Sequence, residues 1–317
     1  FCLINFSLPL VKFFFILGSM ESENKPDISF ESKPQLPGIG TSFFILILGV
    51  MTGFVFMGIF VVIGKFIVPA ESVFVLNKIG LVLGTMLFVL PALIYARIHK
   101  LDVVLLFRMR RVNLSVMIIS VVTALGLVVV TDTLDRWMAP AINAWLDSTI
   151  GVLSPELMSD RILEQLAEEM KIHSFTEGFL LILGAVIAAG ICEEILLRGL
   201  LQRSLEAHYP VLISVAISSL VFALIHFNPW GGIQIFIIAI VLGAVAWRTQ
   251  SILPTIVFHS VNNFTVLIFN NLEPSALLWY GDEHHVFPWV SMGGFICTLL
   301  GLWRIWILTS IEKEETK

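Results

Sequence analysis

The sequence predicts an all-α fold, a polytopic transmembrane helical bundle of about eight spans with one further candidate span at the N-terminus. Two observations predict it. Of 317 residues, 57% are hydrophobic and only 14% are charged, against about a quarter charged in ordinary soluble domains; mean hydropathy is +0.93. The apolar residues also fall in long continuous runs rather than alternating, which fits helices and not a membrane β-barrel. A water-soluble helical protein would have to bury almost every run on all sides, more than one core of this size accommodates. The expected location is a cell membrane, and the lipid bilayer is the first expected partner. The formal net charge of −5 marks no nucleic-acid surface, so no nucleic-acid partner is expected.

In chain order, the first region is 1–40. It begins with Phe1 rather than methionine, as a processed or incomplete start would, and residues 1–18 read as a signal-like segment or a first span interrupted by Lys12. A polar link follows at 21–37. Apolar runs at 41–69, 79–96 and 114–131 form the N-terminal transmembrane helices, region 41–131. Region 132–177 reads as an acidic extramembrane segment. Within it, residues 154–173 place Leu157, Ile162, Leu163, Leu166 and Met170 on a rough 3.6-residue period, an amphipathic helix at the membrane surface with Ser154 or Ser159 as cap. Runs at 178–205, 211–227, 231–247 and 252–270 form the core region 178–270, with a tight turn at Asn228-Pro229-Trp230-Gly231-Gly232. Region 271–317 holds a loop, a last run at 288–309 and a cytoplasmic tail. Each run approaches the roughly 20 residues that cross about 30 Å of hydrocarbon.

Loop charge orients these spans. Arg97, Lys100, Arg108, Arg110 and Arg111 against Asp102 leave a net of +4 and mark the cytoplasmic side. Residues 132–177 carry nine acids against Arg136, Arg161 and Lys171, a net of −6, and fall on the opposite face. Arg198, Arg203 and Arg248 then lie toward the inner side, and Asp282 and Glu283 outside. Cys2, Cys192 and Cys297 form neither a disulfide framework nor a thiolate metal site and read as small buried hydrophobes.

The core region carries the chemistry. Ionisable residues within spans are costly and mark function or pairing. Glu194 and Arg198 are four apart and share a helical face, so they can pair. Glu193 is turned by about 100° from Glu194 and looks elsewhere. Phe222 and His226 are also four apart, placing the ring beneath the imidazole, and His259 and Asn263 share a face of the next-but-one helix. These groups can converge on one polar pocket. Glu193 with His226 could then activate water for attack on a carbonyl, with His259 and the Asn263 amide as donors to the oxyanion. A metal version uses His226, His259 and either Glu193 or Glu194, the two-imidazole, one-carboxylate set common for catalytic zinc, although the sequence contains no HExxH. The structural reading of Glu194 and Arg198 is a buried pair that fixes helix packing, and polar residues such as His259 and Asn263 also serve as interhelical glue. One conflict is visible: the run boundaries put His226 near the outer end of its span and His259 near the inner end of its own. Outside the core, Glu283, His284 and His285 are metal-capable types in a loop, with unspecific spacing.

EEILLR at 193–198, FALIH at 222–226 and HSVNN at 259–263 resemble the three ordered motifs of the CAAX protease and bacteriocin-processing (CPBP, Abi) family of intramembrane proteases, E-E-x-x-x-R, F-x-x-x-H and H-x-x-x-N/D. The resemblance covers about 178–270, and Gly199 after Arg198 looks like the prokaryotic branch. By position it implies that Glu193 and His226 activate water, His259 and Asn263 bind the oxyanion, Glu194 and Arg198 support the site, and Phe222 packs. It also implies a hydrolase labelled a metallopeptidase, with zinc as the cofactor to test beside a metal-independent glutamate mechanism. The implied partners are peptide or protein substrates, membrane-anchored or prenylated among them. The competing reading is a noncatalytic peptide-binding or bacteriocin-immunity protein built on the same pocket, and a more distant one is a transporter coupled through Glu193 and Glu194.

Overall fold

Residues 36–69, 72–154, 157–282 and 284–315 are described by the computed structural model, with side chains to residue 309. The N-terminal candidate span at 1–18, Cys2 and Glu283 lie outside the described residues. Each of the eight expected runs is helical. In order, α1 is Ile39–Gly64, α2 Val73–Phe88, α3 Leu90–Ile98, α4 Val103–Leu106, α5 Leu114–Thr149 and α6 Ser159–Glu169. A composite helix follows: α7 Phe175–Leu181, a wider π-helical stretch Ile182–Ala188, α8 Ala189–Glu194, a second π stretch Ile195–Leu201, and α9 Gln202–Glu206. The bundle closes with α10 Val211–Ile225, α11 Gly232–Thr249, α12 Leu253–Asn271 and α13 Pro288–Glu315.

Among the described residues, six helices rather than eight are long and apolar enough to cross a membrane: Ile39–Gly64, Val73–Ile98, Leu114–Leu153, Phe175–Glu206, Gly232–Thr249 and Pro288–Thr309. The chain is a multi-pass integral membrane protein. The two expected spans that fall short do so for different reasons. Helix α10 has 15 residues, about 22 Å of rise, short of an approximately 30 Å hydrocarbon layer. Helix α12 is 19 residues long, but His259, Asn262, Asn263, Asn270 and Asn271 reduce its apolar character.

Helix α5 runs without interruption through residue 131 to Thr149, with Pro140 inside it. In helix α6, Met158 holds the cap position expected for Ser154 or Ser159; Ser159 is instead the first helical residue, its N–H donating to Asp147 Oδ1 at 2.7 Å. Polar side chains from the core pin α6 at both ends. Trp230 Nε1 donates to Ser159 Oγ at 2.8 Å, and Asn270 Nδ2 and Asn271 Nδ2 donate to the carbonyls of Ala167 and Met170 at 3.0 and 2.9 Å.

Between lipid-exposed helices apolarity provides no drive to associate, so close contact must supply it. A methyl group added to Gly53 of α1 would strike the Phe88 ring and the Gly84 carbonyl of the α2 segment, and one on Gly126 of α5 would strike the Gly294 carbonyl of α13. Cys192 is buried as expected; Cys297 is exposed, because α13 is a peripheral helix whose outer face meets lipid. The composite helix is the centre, the most buried of the six long apolar helices, whereas α1 and α13 are mostly unburied.

At the basic end, Asp102 caps α4, accepting from the N–H groups of Val104 and Leu105 at 2.8 and 3.1 Å. The following turn tucks inward: Phe107 is fully buried, and Arg108 takes φ 56°. The N–H of Ile252 donates to the Arg108 carbonyl at 3.0 Å, which seats the start of α12 on this buried segment.

Candidate active site

The two π stretches bracket the glutamate pair. A π turn leaves a backbone carbonyl free to accept from elsewhere, and such turns gather at functional sites. Here α12 uses the first of them: Asn263 Nδ2 donates to the Ala185 carbonyl at 2.9 Å and Ser260 Oγ to the Val186 carbonyl at 3.1 Å. The side chain just behind the glutamates is small, since a methyl on Gly190 would meet Ser260 Oγ, so α12 lies close against α8.

That contact brings His259 to the glutamates. Its Nδ1 lies 3.0 Å from Glu194 Oε1 and its Nε2 3.8 Å from Glu193 Oε2. His226, the residue that ends α10, places its Nε2 at 3.8 Å from the same Glu193 oxygen. Its Nδ1 is 2.7 Å from the Phe222 carbonyl; a carbonyl only accepts, so Nδ1 donates and neutral His226 turns an Nε2 lone pair toward Glu193. The Phe222 ring lies 4.6 Å from the His226 ring and 5.7 Å from the His259 ring, centroid to centroid, which holds both imidazoles.

Beneath them, Arg198 Nη1 donates to Glu194 Oε1 at 2.7 Å, Nη2 donates to the Ala239 carbonyl at 3.0 Å, and the guanidinium stacks 4.5 Å from the Phe222 ring centre. Both partners of this pair are fully buried, whereas Glu193 keeps 13% of its side chain exposed and His226 30%. The two adjacent carboxylates therefore live in different surroundings, as the 100° turn between them requires.

The boundary conflict between His226 and His259 resolves through the lengths of their helices. His226 stands about 22 Å along α10 and His259 only about 9 Å along α12, and they meet because α12 starts from the inward-tucked Phe107–Arg108 turn. Sequence reasoning brought Glu193, Glu194, Arg198, Phe222, His226 and His259 into one cluster, and the structure does the same. Asn263, one turn after His259 on α12, bonds instead to the Ala185 carbonyl, two turns before Glu193. Ser260, the Ala239 carbonyl and Gln202 were missed. Ser260 sits inside the HSVNN motif, a signal that was available; a backbone carbonyl on α11 leaves no trace in sequence.

For zinc, bonds of about 2.0–2.1 Å at the tetrahedral angle separate ligand atoms by about 3.4 Å. The 3.8 Å separations from Glu193 to both imidazoles are wider, and no group of three or more His, Cys, Asp and Glu among the described residues is placed to hold a metal ion. As positioned, these side chains do not close a zinc sphere. His284 and His285 belong to the loop before α13, where Asp282 Oδ1 accepts from both of their backbone N–H groups.

Against protein-family models, residues 175–265 match the Rce1-like family, described as type II CAAX prenyl endopeptidase Rce1-like. Over this part, under a third of the chain, the sequence is similar to the Rce1-like family. The matched segment runs from the start of the composite helix to the middle of α12 and contains every residue of the cluster, in agreement with the resemblance expected over 178–270. No curated protein and no solved structure gives a match. Family and buried Glu/His cluster together support a peptidase-type site within a membrane bundle.

Proposed function

We propose that this protein is an intramembrane endopeptidase in which Glu193 and His226 activate a water molecule for attack on a peptide carbonyl. The observation that carries the reading is the triangle at Glu193 Oε2, with His226 Nε2 and His259 Nε2 each at 3.8 Å. That spacing is too long for a direct hydrogen bond and suits one oxygen held between the three atoms. Glu193 takes the proton, assisted by the Nε2 lone pair of His226, as the water oxygen bonds to the carbonyl carbon. The charge that develops on the carbonyl oxygen is met by His259 and Asn263. His259 does this as an imidazolium, its Nδ1–H on Glu194, itself held by Arg198, and its Nε2–H toward the oxyanion; one N–H of Asn263 goes to Ala185, which leaves the other for the oxyanion. Glu193 then returns its proton to the leaving amine, so the peptide C–N bond breaks as a neutral amine departs.

The substrate class is a peptide at or in the bilayer, with chains anchored by a transmembrane segment as the first to test. Purified protein reconstituted in liposomes should cleave a reporter peptide tethered by one transmembrane segment. Glu193→Ala and His226→Ala should each lower the rate by about 10²–10⁴-fold with unchanged elution on size-exclusion chromatography. Undiminished cleavage in both variants would remove the assignment, and a Glu193→Gln variant that retains full reporter binding without turnover in the parent would favour the noncatalytic binding protein.

A further inference from the structure

We propose that the peptide reaches Glu193 from the α6 face of the bundle, under the turn Phe227–Gly231, and that the route from the basic face is closed; the substrate is then an extracytoplasmic peptide segment. The proposal rests on the peptidase reading above. Three observations carry it.

The first is the exposure of the cluster itself. Side-chain exposure falls from 30% at His226 through 13% at Glu193 to 5% at His259 and zero at Glu194 and Arg198. The open side of the site is the His226 side. Residue Phe227, next in the chain, is 76% exposed and takes φ 48°, turning the chain sharply away at the point where α10 ends. The turn is tied to α6 by the bond from Trp230 to Ser159, so α6 lies beside the mouth.

The second is a buried polar column that fills the opposite direction. Glu194, Arg198, Gln202 and Glu206 recur every fourth residue and are all buried. Arg198 donates to the Ala239 carbonyl, and one turn on, Gln202 Nε2 donates to the Gly243 carbonyl at 2.9 Å and to Glu206 Oε1 at 2.8 Å. Glu206 ends the column in an ion pair with Arg108, whose Nη1 lies 3.2 Å from Glu206 Oε1. A peptide entering from the Arg108 side would have to separate these pairs, leaving buried charges without partners. Gln202, Glu206 and Arg108 thus act as a seal on that side.

The third is position across the membrane. Measured from Val211 at the basic face, His226 lies about 22 Å along α10, past the middle of an approximately 30 Å hydrocarbon layer. Arg97, Lys100, Arg110 and Arg111 are exposed at that basic face, which the excess of cations assigns to the cytoplasm.

The test uses the full chain in right-side-out vesicles, with Phe227→Cys and Arg111→Cys made separately and the parent chain as the blank for its own cysteines. The probe is a membrane-impermeant maleimide carrying a polyethylene glycol chain. The expected result is that Phe227→Cys reacts from outside while Arg111→Cys reacts only after permeabilisation. Modification at 227 should lower cleavage of the tethered reporter at least about 10-fold relative to the same variant unmodified, and modification at 111 should change it less than about 2-fold. Reaction of both cysteines from the same side, or a block by modification at 111 and not at 227, overturns the proposal. If the unmodified chain shows no cleavage that depends on Glu193, the peptidase reading fails, and the sides of labelling alone then decide the access face.

Discussion

Helix α1 and the composite helix Phe175–Glu206 are both long and apolar, yet they are held by opposite means. The α1 helix packs on α2 by bringing Gly53 against the Phe88 ring and the Gly84 carbonyl, and most of its surface meets lipid. The composite helix is mostly buried and is fastened by charges and amides: Arg198 to Glu194 and Ala239, Gln202 to Gly243, and Asn263 of α12 to Ala185. In a bilayer, lipid is as good a neighbour for leucine as another helix, so the periphery relies on dispersion at close range and the centre on hydrogen bonds. Apolarity alone does not tell the two apart. The difference lies in what each helix has for its neighbours to answer.

The sharpest way to break this contrast is Arg198→Met, which leaves Glu194 buried without its cation. Removing one partner of a buried pair costs about 3–5 kcal/mol, so urea or thermal unfolding of the detergent-solubilised protein should show the largest loss of stability here, with cleavage gone. Gly53→Leu should cost less, about 1–3 kcal/mol from overpacking, with residual cleavage by whatever fraction stays folded. A Gly53→Leu loss equal to that of Arg198→Met would mean that the periphery is as tightly specified as the centre. Asn270→Ala removes one tether from α6, worth about 1 kcal/mol; proteolysis of the α6 segment should speed up before global unfolding does.

The smallest effect belongs to Asp282 on the loop before α13. The backbone N–H groups of His284 and His285 hold its carboxyl below the ordinary carboxylate value. A folded-state pKa below the unfolded one stabilises above the unfolded value and loses that contribution as pH falls through the folded one. Fluorescence of the neighbouring Trp279 should therefore show the loop intact at neutral pH and loosening only under acid, and Asp282→Ala should remove that step while leaving the core transition in place. An unchanged acid step in the variant would assign the loosening to another group.

The fold class and six of the cluster residues were legible in the sequence because their physics is local. Continuous apolar runs report helices, and a four-residue interval reports a shared face: Glu194 with Arg198, Phe222 with His226. Membrane crossing was legible less completely. Helix α10 reads as a span by its apolarity but has only 15 residues, and α12 reads as one by its length while five polar side chains dilute it. Helix α5 continues past residue 131 and through Pro140 to Thr149 where it packs along α13, with Thr133 Oγ1 2.9 Å from Ser291 Oγ, and a charge pattern cannot show that packing.

What the sequence by itself determined is the bundle, its central charged residues and the separate directions of Glu193 and Glu194, all consequences of helical period and of the cost of charge in hydrocarbon. Only the tertiary structure decided that His226, at the end of one helix, and His259, near the start of another, reach the same carboxylate oxygen. That meeting depends on where α12 is seated, on the π stretch Ile182–Ala188 whose carbonyls accept from Ser260 and Asn263, and on backbone acceptors of α11 that answer Arg198 and Gln202. Helix offsets and backbone carbonyls carry no side-chain signature, so no pattern of residues could have announced them.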